Sequence, residues 1–201
     1  MKQFFFILVI FILCTSFFSD NTPVKSVINK PIADFTLKNT QLKNVSLANY
    51  KNAKGFVIIF ISNHCPFAKL YIERINELYK TYILKGVPTL AINSIDTIVY
   101  DDETIVEMKK VALNKKIKFP YLKDAKQIVG KDFNAINTPE AFIIWKENNQ
   151  WIIKYSGAID NNGEHPEKAT SYLRNALEEL LQNKKVSVPE TRSFGCKIYY
   201  N

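Results

Sequence analysis

The sequence predicts an α/β domain with a central mixed β-sheet, helices on both faces and a β-hairpin extension at the amino-terminal end. Three observations carry that expectation. The run "FVIIFIS" (Phe56 to Ser62) is apolar at consecutive positions, as a strand buried on both faces requires, and a helical pattern follows it within a few residues. Strand-like and helix-like stretches then alternate through the middle of the chain, the order expected of parallel strands joined by crossover helices. Near the end, "EAFIIW" and "WIIKYSGAI" flank the turn-rich "KENNQ", which marks an antiparallel hairpin.

Taken in order, "ADFTL" and "NVSL" joined by "KNTQLK" form the first hairpin. After the central strand, Phe67, Tyr71, Ile75, Leu78 and Tyr82 recur at helical spacing and define one apolar face of a helix that ends before Gly86. Val87 to Ser94 is the next strand, with Pro88 tolerated only near its start. Asp101, Asp102 and Glu103 place acidic charge where a helix begins, and that helix is expected to run to about Lys116. "KFPYLKD" reads as a short strand or extended segment and "AKQIVGKDF" as a short helix. The last helix starts after His165–Pro166 and carries Ala169, Tyr172, Leu173, Ala176, Leu177, Leu180 and Leu181 on one face.

Composition bounds the function. The 201 residues are 47% hydrophobic and 23% charged, which suits one globular domain. Residues 1–19 have a basic start, an apolar run from Phe4 to Cys14 and small polar residues after it, the layout of a secretory signal peptide. The run is short for a membrane span. An uncleaved amino-terminal anchor and a lipid-bearing Cys14 are the alternatives. Cleavage after Ser16 or near Ser19 leaves a secreted, periplasmic or cell-envelope domain over residues 26–184, with a tail at 185–201. The formal charge of +8 is spread over separate lysine clusters with no interleaved aromatics, so a solvated basic surface is expected and nucleic acid is not.

With Cys14 assigned to the signal segment, two thiols remain, Cys65 and Cys196, in a compartment where disulfides persist. Cys65 closes the loop Ser62–Asn63–His64 at the carboxyl end of the central strand, where open α/β sheets place their chemistry. Pro66 is compatible with a first helical turn, so Cys65 falls at a helix N-terminus, and a protonated His64 adds a neighbouring positive charge. Both effects favour the thiolate.

These residues, with "TPE" (Thr138, Pro139, Glu140) before the final hairpin and "FGCKI" (Phe194 to Ile198) in the tail, resemble the thioredoxin superfamily and within it the peroxiredoxin-like branch (AhpC/TSA, redoxin). The resemblance covers Pro31 to about Leu181. It is similar to small thioredoxin-like proteins that carry a "CNHCP" loop; here that loop reads "SNHCPF". The resemblance implies a cis peptide bond at Pro139 facing the Cys65 thiol, with Asn63, Pro66 and Glu140 beside a substrate groove. Ser62 stands where such proteins have the first cysteine of C-x-x-C, so no disulfide can close inside the loop. Ser62-x-x-Cys65 also resembles the Thr/Ser-x-x-Cys of peroxiredoxins, in which the hydroxyl positions peroxide for attack by the cysteine. Cys196, in a tail expected to be flexible, then becomes a resolving thiol. No arginine stands beside the "TPE" segment, and Arg74 lies about two and a half turns along the Cys65 helix.

Three readings remain open. One is a secreted thiol oxidoreductase acting through Cys65 on peroxide or on a protein or small-molecule disulfide, re-reduced by an external thiol and needing no cofactor. Another is a thioredoxin-fold binding module that kept the groove beside Pro139. The third is a structural protein with a permanent Cys65–Cys196 disulfide. Asp160, Asn161, Asn162 and His165 read as a turn and helix cap rather than a metal site, and Trp145 and Trp151 as packing residues.

Overall fold

The computed structural model describes residues 26–201; the expected signal segment, with Cys14, lies outside them. The chain enters through the two-residue strand β1 (Pro31–Ile32) and the hairpin β2 (Thr36–Asn39) and β3 (Asn44–Ser46). The central strand β4 (Gly55–Phe60) leads into α1 (Pro66–Ile83), followed by β5 (Thr89–Asn93), α2 (Ile105–Asn114), β6 (Tyr121–Lys123) and α3 (Ile128–Phe133). The short β7 (Asn137–Thr138), the hairpin β8 (Glu140–Glu147) and β9 (Gln150–Gly157), α4 (Tyr172–Leu181) and the two-residue β10 (Cys196–Lys197) complete it.

Eight strands form one mixed sheet in the order β1-β9-β8-β4-β5-β6-β2-β3, parallel from β4 through β5 to β6 and antiparallel elsewhere. β4 lies in the middle, as its apolar run requires. Phe56, Ile58 and Phe60 pack into one core with Val129, Phe133 and Phe142, while Val57, Ile59 and Ile61 pack into the other with Tyr71, Ile75, Leu173 and Leu177. Helices therefore cover both faces. Burying each such side chain contributes about 2 kcal/mol. Trp145 and Trp151 follow the same alternation and pack on opposite faces of the sheet.

Three expectations need adjustment. The acidic run does not open a long helix: Asp101–Glu103 is a separate 3-10 turn, and α2 begins only at Ile105, with the Thr104 side chain accepting from the Glu107 amide as its cap. Similarly, Pro166–Lys168 is a detached turn, so Ala169 precedes α4. On α1 the buried face runs through Ala68, Tyr71, Ile72, Ile75, Leu78 and Tyr82, and Phe67 is 44% exposed. Phe67 instead meets Phe194 edge to face at 6.2 Å, a contact with the tail that helical spacing alone does not reveal. Among the described residues no helix is long and apolar enough to cross a membrane.

Candidate active site

The carboxyl ends of the parallel strands β4 and β5 define the site. Ser62 to His64 leave β4, and Cys65 is the N-cap of α1 with Pro66 in the first turn, where its missing amide hydrogen costs nothing. Cys65 has no exposed surface. Its Sγ donates to the carbonyl oxygen of Thr138 at 2.9 Å, and the Thr138–Pro139 bond is cis. The Ser62 and Thr138 hydroxyls are 2.9 Å apart and buried, so Ser62 is engaged with Thr138 beneath the thiol. Glu140 fixes the same loop from behind, accepting from the amides of Ile136 (2.6 Å) and Asn137 (3.2 Å) and from the Ser193 hydroxyl (3.1 Å). Burial pushes the Glu140 carboxyl up despite these bonds.

The tail expected to be flexible is built into the fold. β10 pairs antiparallel with β7 in a register that sets Cys196 directly against Thr138. Gly195 makes this possible: its φ is +144°, and a Cβ there would lie 2.1 Å from the Thr138 carbonyl oxygen. Beyond it, the Ile198 amide donates to Ile136 O (2.9 Å), Tyr200 OH to Ala135 O (2.7 Å), and Gln127 Nε2 to Tyr199 O (2.7 Å). Ile198 is buried in the core, which gives the tail an apolar reason to stay. The second thiol therefore reaches the first by strand pairing.

Cys65 and Cys196 are both free thiols, and each influences the ionisation of the other. Burial, the largest influence on Cys65, pushes its thiol up. It is outweighed by hydrogen bonds from the Cys196 thiol, the Ala68 amide, the Thr138 hydroxyl and the Cys196 amide, which leave Cys65 below the ordinary value. Cys196 moves the other way, pushed up to about 12 by burial, by its bond to Cys65 and by the charges of Cys65 and Glu103. The two shifts run in opposite directions, so that of the pair Cys65 is the thiol that ionises more readily.

His64 is not among the groups that lower Cys65. Its Nδ1 lies 2.6 Å from Glu103 Oε1, and its ring stacks on Tyr100 at 4.3 Å. Glu103, with no exposed surface, is the residue that sequence reasoning missed. It accepts from the amides of Asn63 (3.0 Å) and His64 (2.8 Å) and from Asn93 Nδ2 (2.5 Å), and so holds the loop that presents Cys65. Behind it, Lys123 Nζ donates to Asn93 Oδ1 (3.1 Å) and to Ile95 O (2.6 Å). A buried polar chain thereby runs from Lys123 through Asn93 and Glu103 to the loop.

The structure brings Ser62, Cys65, Thr138, Pro139 and Cys196 together. Asn63 turns inward, donating to Asp102 O (2.6 Å) and accepting from Tyr121 OH (3.0 Å), and Pro66 is exposed on the helix. His64, Asp102 and Glu103 place possible ligand atoms within 4.8 Å of one another, yet the Glu103 oxygens are already committed to N–H donors. Arg74 lies away from Cys65: it clamps Asp160 (2.7 Å) and the carbonyls of Asn162 and Gly163, so the Asp160–His165 segment is a structural turn.

Comparison with known proteins bears on the fold and the family. A hypothetical protein of Sinorhizobium meliloti superposes with a TM-score of 0.78 at 30% identity over 87% of this chain and 94% of its own. An uncharacterized conserved protein of Geobacillus kaustophilus gives 0.78 at 33% identity over 87% and 92%. The thiol-disulfide oxidoreductase ResA of Bacillus thuringiensis subsp. konkukian is 28% identical over 123 residues, 61% of this chain, and the match spans 66% of that relative's length. The pneumococcal lipoprotein thioredoxin shares the fold, with a TM-score of 0.56 at 15% identity over 75% of this chain and 99% of its own. The architecture is thioredoxin-like. The AhpC/TSA family model matches residues 28–160, from the approach to β1 through the Cys65 loop and the cis-Pro139 segment, and the chain belongs to that family.

Proposed function

We propose that this protein is a thiol–disulfide oxidoreductase whose working pair is Cys65 and Cys196. The register of β10 on β7 carries the reading, because it seats Cys196 against the Thr138 whose carbonyl accepts from Cys65. The tail supplies the second sulfur that the loop lost at Ser62. In the reaction, two thiols give up two electrons and two protons to become one disulfide, and a substrate disulfide takes them up as two thiols. The likeness to ResA supports this class of substrate. The amino-terminal sequence supports action outside the cytoplasm, where such a pair cycles against an external thiol reductant.

Peroxide is a second reading, favoured by the complete burial of Cys65, which admits only a small oxidant. The Cys65 thiolate would take one peroxide oxygen to become a sulfenic acid as the O–O bond breaks and the other oxygen leaves as hydroxide, and the Cys196 thiol would condense with the sulfenic acid, releasing water and leaving the same disulfide. Turnover separates the readings. With dithiothreitol as reductant, the parent is expected to reduce insulin disulfides, and Cys65→Ser and Cys196→Ser each to lose at least tenfold. Peroxide consumption that needs both cysteines, with no insulin reduction, would favour the second reading. Rates in both assays equal to those of Cys65→Ser would contradict both.

A further inference from the structure

The two sulfurs are unequal in access, and thiol–disulfide exchange is sensitive to that inequality. The attacking sulfur approaches along the line of the S–S bond, on the far side of the sulfur it attacks from the sulfur it expels. An attack on Cys65 must therefore come from the side opposite Cys196. That side is the protein: Cys65 has no exposed surface and belongs to the core with Val57, Ala68 and Tyr71. Cys196 packs against the rim of that core and is only half-buried, on the two-residue strand β10, with exposed Lys197 next to it. An attack on Cys196 comes from the face turned away from the core.

We propose that external thiols exchange at Cys196, with Cys65 as the leaving sulfur, so that the mixed disulfide with the reductant forms on the tail and not on the helix. This rests on the disulfide cycle of the preceding section and assigns its order. A thiolate R–S⁻ attacks the Cys196 sulfur; the S–S bond breaks and its electron pair leaves on Cys65, giving R–S–S–Cys196 and the Cys65 thiolate. A second thiol of the reductant then attacks its own sulfur in that mixed disulfide. Cys196 departs and takes up a proton, and the reductant is oxidised to a disulfide.

The hydrogen bonds to Cys65 that persist while Cys196 is in a disulfide, from the Ala68 amide, the Thr138 hydroxyl and the Cys196 amide, support this order, because they stabilise the thiolate that leaves. The loop disulfide of a C-x-x-C motif would close on Ser62, which here is buried under Thr138. Moving the second sulfur to the tail moves the point of contact with the reductant to the surface beside Phe194 and Lys197.

The test uses the full chain and glutathione as the probe. The protein is first oxidised and its intact mass is taken, with alkylation counting free thiols. Glutathione is then added, the reaction is stopped with acid after short times, and the glutathionylated peptide is mapped. The expected result is glutathione on the peptide containing Cys196, in at least tenfold excess over that containing Cys65. Predominant or equal labelling of Cys65 overturns the assignment while leaving the disulfide cycle intact. Two free thiols in the oxidised protein, before any glutathione is added, would overturn the cycle itself and the assignment with it.

Discussion

At Glu103 a carboxylate with no exposed surface holds two backbone amides of the loop that carries Cys65, together with the His64 ring and the Asn93 amide. Glu103→Gln places an amide N–H against one of those donors in either orientation. The expected cost is about 3 kcal/mol of stability, read by denaturant unfolding, with slower closure of the disulfide in the same variant. Nothing local in "YDDET" announces this role, since three acidic residues ahead of a helix already have a sufficient reading as charges facing its dipole. Lys123, at 8% exposure, is the cation of the same chain. Burial lowers its amine from 10.5 to about 8, against the opposing charges of Glu103, Asp124 and Asp96. Between those values the unfolded chain binds the extra proton, so folding stability from this group rises with pH. Relative to Lys123→Met, the parent should gain about 3 kcal/mol in unfolding free energy between pH 8 and 10.5. A difference independent of pH over that window would contradict the buried-amine account.

The decisive element is the smallest: β10, two residues long, places a thiol from the end of the chain beside one at the start of α1. Gly195 permits it, and Gly195→Ala should cost about 2 kcal/mol, because its Cβ would strike the Thr138 carbonyl at a φ that alanine resists. The same variant should expose Cys65, so its alkylation by a small maleimide should become at least tenfold faster than in the parent. Unchanged protection would mean that the tail does not cover the thiol. The motif "FGCKI" made the glycine and the cysteine legible. Their register on Thr138 was not, because pairing between residues 58 apart depends on how the β8–β9 hairpin and α4, which lie between them, are packed. Helical spacing failed at Phe67 for a related reason: it marks one side of a helix as apolar but does not say that the tail, through Phe194, lies against its rim.

For the whole molecule, patterning was sufficient. The doubly apolar β4, the crossover helix after it and the late hairpin each admit one placement in an α/β sheet, and the observed order puts them there. The ends of the parallel strands then bring the loop of Cys65 against the cis-Pro139 segment, and the tail closes over both. What the sequence left open, whether Cys196 is a bystander, a permanent bond or a working partner, becomes a question about two neighbouring sulfurs. It is answered most directly by peptide mapping of the protein after mild oxidation with diamide and again after dithiothreitol. The account predicts a single intramolecular Cys65–Cys196 link that forms on oxidation and is fully released by the reductant. Two free thiols after oxidation, or a link that resists dithiothreitol in the folded protein, would contradict it.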